Sequence, residues 1–463
     1  MLLFDDVILM GDGPEQSILL AGEYIYDGYI FSPNGAPESG TVLATANWWA
    51  DYASDPSDFQ DGFFAHKVYV RDLSIDCQGD QCVNVGLPSN VLAGVGEPVP
   101  NPAIQRDAQV PPQPIGQLGD AALIIHAAQH CGVENVWVYN GNVNGIDIKG
   151  TLNKNAFPNG PLPQSFQQAK AGVPTFVPNA TPSSTNVPVM NAYVTRCQVD
   201  MNYPKWLAGS PLSTGGSNGQ LPIRAIGVAA VVLSFNRIGQ RNQPSLFPTA
   251  PHGYTNPPDV GPNTNDAMDC PGAWHVLILG NLFTNCGDGV GSDGNGDMIV
   301  ACNVMYNFGS VGVLSLSKSG KATSQTIIFG NTIFLGSDFA SPQQGISIQD
   351  TIPPPLPQPG YDLTATPGTV VISNNVIYGS AYNVMIDVTV LGAIVTANIL
   401  DYAGVEPQGQ PVVGEGGTTH WPIPNGAGVR IGGNDIIVEA NIFRNAAAAG
   451  TKNPSAIGIV FPS

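Results

Sequence analysis

Positive charge is scarce in this chain. Its 16 Lys+Arg against 35 Asp+Glu leave a formal charge of -19, and charged residues make up only 11% of the 463. Nucleic-acid binding is thereby disfavoured, since counterion release needs clustered Lys and Arg, and none occur. Long apolar runs are missing too: no stretch of 18 consecutive apolar residues could span a membrane as a helix. The N-terminus, Met1 to Asp6, lacks the basic region and apolar run of an export signal. It reads as the start of either a cytoplasmic protein or a secreted one whose signal has been removed, and the functional reading below favours secretion. Seven cysteines are too few for a disulfide scaffold, and neither Cys nor His shows zinc-ligand spacing. Cys77 and Cys82 could close a small loop in an oxidising compartment, or remain two thiols.

Glycine and proline are plentiful, at 55 and 41 residues, and 43% of the chain is hydrophobic. That is enough apolar material for a substantial core, and it argues against disorder. Length alone suggests two or three domains, yet a repetitive architecture can absorb as many residues in one.

A repeat of the form apolar-x-x-Asn-x-apolar is present. It occurs at Ile278 to Phe283, Val300 to Met305, Ile328 to Ile333, Ile372 to Ile377, Val395 to Leu400 and Val438 to Phe443. Weaker copies centre on Asn140, Cys197 and Asn236. A second recurring strand opens on glycine, as in Gly145 to Lys149, Gly345 to Gln349 and Gly428 to Gly432, and alternates apolar with polar residues. Each coil thus supplies two or three short strands joined by bends, and stacked coils pair strand on strand. An Asn recurring at one bend can hydrogen-bond along the stack and satisfy backbone groups the turn leaves open.

These repeats resemble the right-handed parallel β-helix of the pectin-lyase-like superfamily, whose coils carry such an asparagine ladder. The opening Val7 to Ile18, with its Gly11-Asp12-Gly13 turn, looks like the first coils, and Val70 to Asp76 like the next. The resemblance implies an all-β fold: one domain over 1–463, a single-stranded right-handed parallel β-solenoid of about ten coils with an asparagine ladder and long inserted loops. Lyases, hydrolases, epimerases, phage depolymerases and adhesins share that scaffold. The galacturonase carboxylate signature and the pectate-lyase calcium ligands with their arginine motif have no counterpart. Loops rich in Pro, Gly and polar residues interrupt the repeat near 88–119, 152–188, 239–272, 353–367 and 406–424. Such composition builds no core of its own, so these loops belong outside the coils, where they could wall a groove.

Aligning the glycine-started strands yields two outward columns. The first holds Ile124, Asp147, Gly227, Gly291, Ser347, Met385 and Arg430. The second holds His126, Lys149, Ala229, Asp293, Gln349, Asp387 and Gly432. Three carboxylates, Asp288, Asp293 and Asp297, crowd one Asp/Gly-rich segment. Paired carboxylates serve glycoside hydrolysis when about 5–9.5 Å apart; the same segment could bind calcium, or simply turn the chain. Asp147, Lys149 and His126 offer instead the base of a polysaccharide lyase, or an exposed ion pair. Arg224, Gln349, Asp387, Arg430, Trp206 and Trp421 are candidates for sugar contact; indole faces stack on sugar rings. Trp137 lies within a coil, where packing is the expected role.

The reading favoured is an extracellular glycoside hydrolase using paired carboxylates, with a polysaccharide as partner, no nucleic acid, no membrane, and a monomeric or homotrimeric state. It requires no cofactor, although calcium fits the acidic segment. The charge disfavours polyanionic substrates. A lyase with a Lys/His base and calcium is the alternative within enzymes. A non-catalytic adhesin, filament or phage fibre is the alternative outside them.

Overall fold

The computed structural model describes residues 1–4, 6–20, 42–45, 65–77, 121–126, 128–141, 144–149, 189–201, 221–226, 228–239, 266–270, 273–284, 286–293, 296–308, 311–317, 326–335, 344–350, 370–380, 382–386, 390–403, 412–413, 419–420, 427–432, 434–444 and 457–460. Among them every regular element is a strand, and all pairings but one are parallel, the exception joining Val412–Val413 to Thr419–His420. Contacts group the chain into two compact units. The first holds Met1–Gly160, Asn179–Val228 and Asn236–Gly261; the second holds Pro161–Pro178, Ala229–Phe235 and Pro262–Ser463. The architecture is the right-handed parallel β-helix that the repeats led us to expect.

In the first unit one sheet runs in the order Leu2–Leu3, Leu43–Thr45, Ala121–His126, Asn144–Lys149, Ile223–Ile226. The corresponding sheet of the second unit contains Met268–Asp269, Val290–Asp293, Val311–Ser317, Gln344–Asp350, Tyr382–Ile386, Ala427–Ile431 and Ile457–Val460, each paired with the next. Its inward column is Val290, Val313, Ile346, Val384 and Val429, in register and all fully buried. β-Branched residues suit this position because they are stiff and fit a pleated surface. Each contributes about 1.5–3 kcal/mol on burial. The opening segments pair as expected, Ile8 with Tyr69 and Ile18 with Ser74.

The asparagine ladder forms. In the second unit Asn281, Asn303, Asn331, Asn375, Asn398 and Asn441 stack so that each Oδ1 accepts from the backbone N–H and the Nδ2 of the Asn one coil before, at 2.8–3.0 Å. The Nδ2 of Asn303 also donates to the carbonyl of Ile278, at 3.0 Å. The residue before each ladder Asn lies in the left-handed region: Gly280, Cys302, Gly330, Asn374, Ala397 and Ala440, with φ between 52° and 65°. For Cys and Ala that conformation costs about 1–2 kcal/mol, and the ladder bonds on the next residue hold it in place.

Two expectations about the repeat are corrected. In the first unit the ladder position of the coil near Trp137 is Val136, opposite Leu73 and Cys197 in register and preceded by the left-handed Asn135; Asn140 lies four residues too late. The neighbouring Cys197 takes the ladder position as expected, its N–H donating to Asn236 Oδ1 at 2.9 Å. An apolar Val136 stands where the pattern expects Asn, so the pattern set this coil four residues late. Loop boundaries also shift. Residues 266–270 carry the strand Met268–Asp269 rather than loop, and 406–424 contains the antiparallel pair named above. The stretches 88–119, 152–188 and 353–367, together with Cys82, Trp206, Trp421 and Asp387, lie outside the described residues. Cys77 is buried.

Candidate functional site

Registry in the first unit brings Ile124, Asp147 and Arg224 side by side on one sheet. Arg224 therefore takes the place that the sequence alignment assigned to Gly227, a shift of three residues. The Nη2 of Arg224 donates to Asp147 Oδ2 at 2.5 Å, with side-chain exposures of 18% and 0%. The column is not an open face as expected: Ile124 and Asp147 are both fully buried. Removing a carboxylate from water costs several kcal/mol, which the guanidinium offsets by charge and direct hydrogen bonding. Lys149 and His126 are register partners, as the spacing predicts; their side chains lie outside the described ones.

In the second unit the outward column runs Asp269, Gly291, Leu314, Ser347, Met385, Arg430. Leu314 and Leu316 belong to the strand Val311–Ser317, a coil the alignment passed over because its start, Val311-Gly312, lies in an apolar run. Gln349 donates from Nε2 to Ser347 Oγ at 2.6 Å and to Gln344 Oε1 at 3.2 Å. Arg430 places its guanidinium 5.4 Å from the centroid of the Tyr382 ring and reaches Met385 Sδ at 3.7 Å. Both polar candidates are thus tied to neighbours on the sheet.

Carboxylates gather around Gly291. Asp269 is its register partner. The carboxylate of Asp266 lies over Gly291 so closely that a Cβ there would sit 1.9 Å from Asp266 Oδ2. Glycine leaves the room this side chain occupies. Asp288, just before the strand Val290–Asp293, is half-buried, and its Oδ1 accepts from the N–H of Val311 at 2.9 Å, a bond that ties one coil to the next. Asp293 follows two residues after Gly291 on the same strand, and Asp297 lies in the strand Gly296–Ala301; their side chains are outside the described ones. Burial pushes the Cys286 thiol up to about 12, with the negative charges of Asp266 and Asp288 adding to it. Burial also pushes Cys270 well up, with Asp269 and Asp266 adding. Both thiols therefore stay protonated and inert as nucleophiles. Sequence reasoning missed Asp266 and Asp269 because they lie in a stretch read as loop. The Ala267-Met268-Asp269 alternation before Cys270 was the available signal.

Among the described residues no group of three or more His, Cys, Asp or Glu side chains is arranged to hold a metal ion. Trp137 packs as expected, 1% exposed, with Nε1 donating to Asp200 Oδ2 at 2.7 Å.

No protein-family model and no curated protein sequence matches the chain. Solved structures similar to it include the surface adhesin PfbA of Streptococcus pneumoniae, at 13% identity and a TM-score of 0.41, covering 95% of this chain and 89% of that one. DFA-IIIase from Arthrobacter chlorophenolicus, solved without its lid, shows 9% identity and a TM-score of 0.40 over 100% of this chain and 86% of that one. The A-module of a mannuronan C-5 epimerase from Azotobacter vinelandii shows 11% identity and a TM-score of 0.40 over 92% and 91%. These neighbours are parallel β-helix proteins.

Proposed function

We propose that this protein is an extracellular glycoside hydrolase acting on a neutral or weakly acidic polysaccharide, with its chemistry at the carboxylates around Gly291. The observation that supports this reading is the Asp266 carboxylate laid over Gly291 with Asp269 in register on the neighbouring strand. Glycosidic cleavage needs one carboxyl group to protonate the leaving oxygen and a second to act as nucleophile or to activate water, about 5–9.5 Å away. Strands about 4.8 Å apart bring side chains of adjacent coils within that range. In this reading Asp266, Asp269 and Asp293 are the candidates for the pair, while Asp288, which accepts from the N–H of Val311, holds the turn. The formal charge of -19 repels polyuronates. Calcium is the competing use of the same segment, and Asp147 with Arg224 serves stability in this reading.

A reducing-end assay on a glycan panel, read beside absorbance at 235 nm, tests it. The expected result is new reducing ends without unsaturated product, lost at least 100-fold in Asp266→Asn or Asp269→Asn and unaffected by EDTA. Unsaturated product would move the chemistry to a lyase using Lys149 or His126. Binding without turnover of any glycan would leave an adhesin or fibre.

A further inference from the structure

The second unit carries an outward face of unusual composition. On one side of the ladder turn the outward column is Leu277, Ile299, Ile327, Val371, Ile394 and Ile437, in unbroken register. On the other side it is Leu282, Val304, Thr332, Val376, Ile399 and Ile442. Beside that runs an aromatic column: Tyr306, Phe334 and Tyr378, with successive ring centroids 6.2 and 6.1 Å apart. These groups meet solvent: Ile299 is 39% exposed, Val304 42%, Tyr306 51% and Tyr378 40%. In the first unit the positions matching the first of these columns are Tyr69, Gly132 and Tyr193, in register, so the continuous aliphatic column belongs to the second unit. Two residues further along each coil the first unit has Arg71, Glu134 and Thr195, where the second unit has Leu279, Ala301, Phe329, Ser373, Thr396 and Glu439.

We propose that this apolar face binds a second copy of the chain. Three considerations select that occupant. Six coils about 4.8 Å apart make the face about 24 Å tall, and two short strands at about 3.3 Å per residue make it about 20–25 Å wide. That is roughly 500–600 Å² per copy, so two copies bury on the order of 1,000–1,200 Å², enough for a specific interface, and the patch lies at the upper end of what a monomer ordinarily leaves open. Charge is the second consideration. Copies at -19 repel wherever acidic surfaces meet, and the two aliphatic columns carry no charged residue. Charge enters at the last coils: Asp401 and Arg444, in register with each other, where the aromatic column ends, and the exposed Glu439 beside Ile437. Third, a sugar site needs convergent hydrogen-bonding groups, and the two aliphatic columns supply only Thr332. A surface ridged at a fixed repeat is complementary to itself, which suits contact between identical chains.

Cys302 is a built-in reporter. It is exposed and forms the left-handed residue of the turn between Ile299 and Val304. Light scattering on the eluting full-length chain at micromolar concentration, with Ellman kinetics on Cys302 and Cys302→Ser as the blank for other thiols, tests the proposal. The expected result is a mass at least twice that of one chain, and Cys302 at least tenfold slower to react than in the double variant Ile299→Asp/Tyr306→Asp, which elutes as a folded monomer. Should that variant fail to fold, alkylating Cys302 with a bulky maleimide must lower the mass of the folded wild type. A monomer at tens of micromolar, or an oligomer indifferent to both perturbations, overturns the proposal. So does a monomer whose tyrosine fluorescence responds to a glycan and loses that response in Tyr306→Ala.

Discussion

Arg224 donates from Nη2 to the fully buried Asp147 Oδ2 at 2.5 Å across adjacent strands. Deleting Arg224 strands the Asp147 carboxylate in a place water does not reach. Asp147→Ala should cost about 3 kcal/mol, less if water follows the partly exposed guanidinium. Urea unfolding of Asp147→Ala, Arg224→Met and the double variant checks this. The double variant should be destabilised by less than the sum of the singles, and an additive outcome would count against the pair.

The ladder predicts a gradient of cost. Asn331 is fully buried, and its removal orphans the N–H of Asn303 and the carbonyl of Val300. At about 1–3 kcal/mol for each buried unmet group, Asn331→Ala should cost about 3 kcal/mol. Asn441 is only partly buried, so Asn441→Ala should cost about 1 kcal/mol. Thermal unfolding of the two variants measures the difference; equal losses would mean the ladder contributes little beyond burial.

Gly291→Ala separates site from scaffold. Its new Cβ would collide with Asp266 Oδ2, the end of a side chain able to swing away. The variant should keep its melting temperature within a few degrees and lose at least tenfold in glycan cleavage. Gly345→Ala should do the reverse, because its Cβ would lie 2.5 Å from the backbone oxygen of Asn383 and 2.4 Å from Ile377 Cγ2. A melting temperature unchanged in Gly345→Ala would contradict that close approach.

Asp200 makes stability depend on pH. Burial pushes its carboxyl from 3.8 up to about 6, against the opposing effect of hydrogen bonds from Gln198 and Trp137 and the charge of Arg237. Between those values the folded chain binds a proton that the unfolded chain has released, so stability falls as pH rises from about 4 to about 6. The contribution is fully present below 3.8 and lost above 6. Asp200→Asn keeps an acceptor for Trp137 Nε1 and removes the titration. Urea midpoints at pH 4 and pH 7 should show a smaller drop in the variant than in the wild type.

Much of the fold was legible in the sequence because its cause is local. The spacing from Asn281 to Asn441 marks coils, and alternation marks the strands between them. The ladder position at Val136 and the strand Met268–Asp269 escaped because valine stands where Asn was expected in one and proline- and glycine-rich flanks mask the other. The site was less legible. Asp147 and Lys149 were found as strand neighbours of Ile124 and His126, but Arg224 was set three residues off, and Asp266 and Asp269 were absent from the reading. Loop lengths between coils vary, so position along the chain does not give register.

What the sequence determined by itself is periodicity: a parallel β-helix follows from apolar positions spaced for strands and a bend residue that satisfies its own turn. Only the tertiary structure decided which columns are covered and which are open. Asp147, polar at an outward position, is buried against an arginine 77 residues away, whereas Ile299, Val304 and Tyr306 face solvent. Register and coverage depend on pairings across tens of residues, and a local hydrophobic pattern does not encode them. The scarcity of positive charge, which first excluded nucleic acid, becomes in three dimensions the reason that the uncharged face suits a second copy.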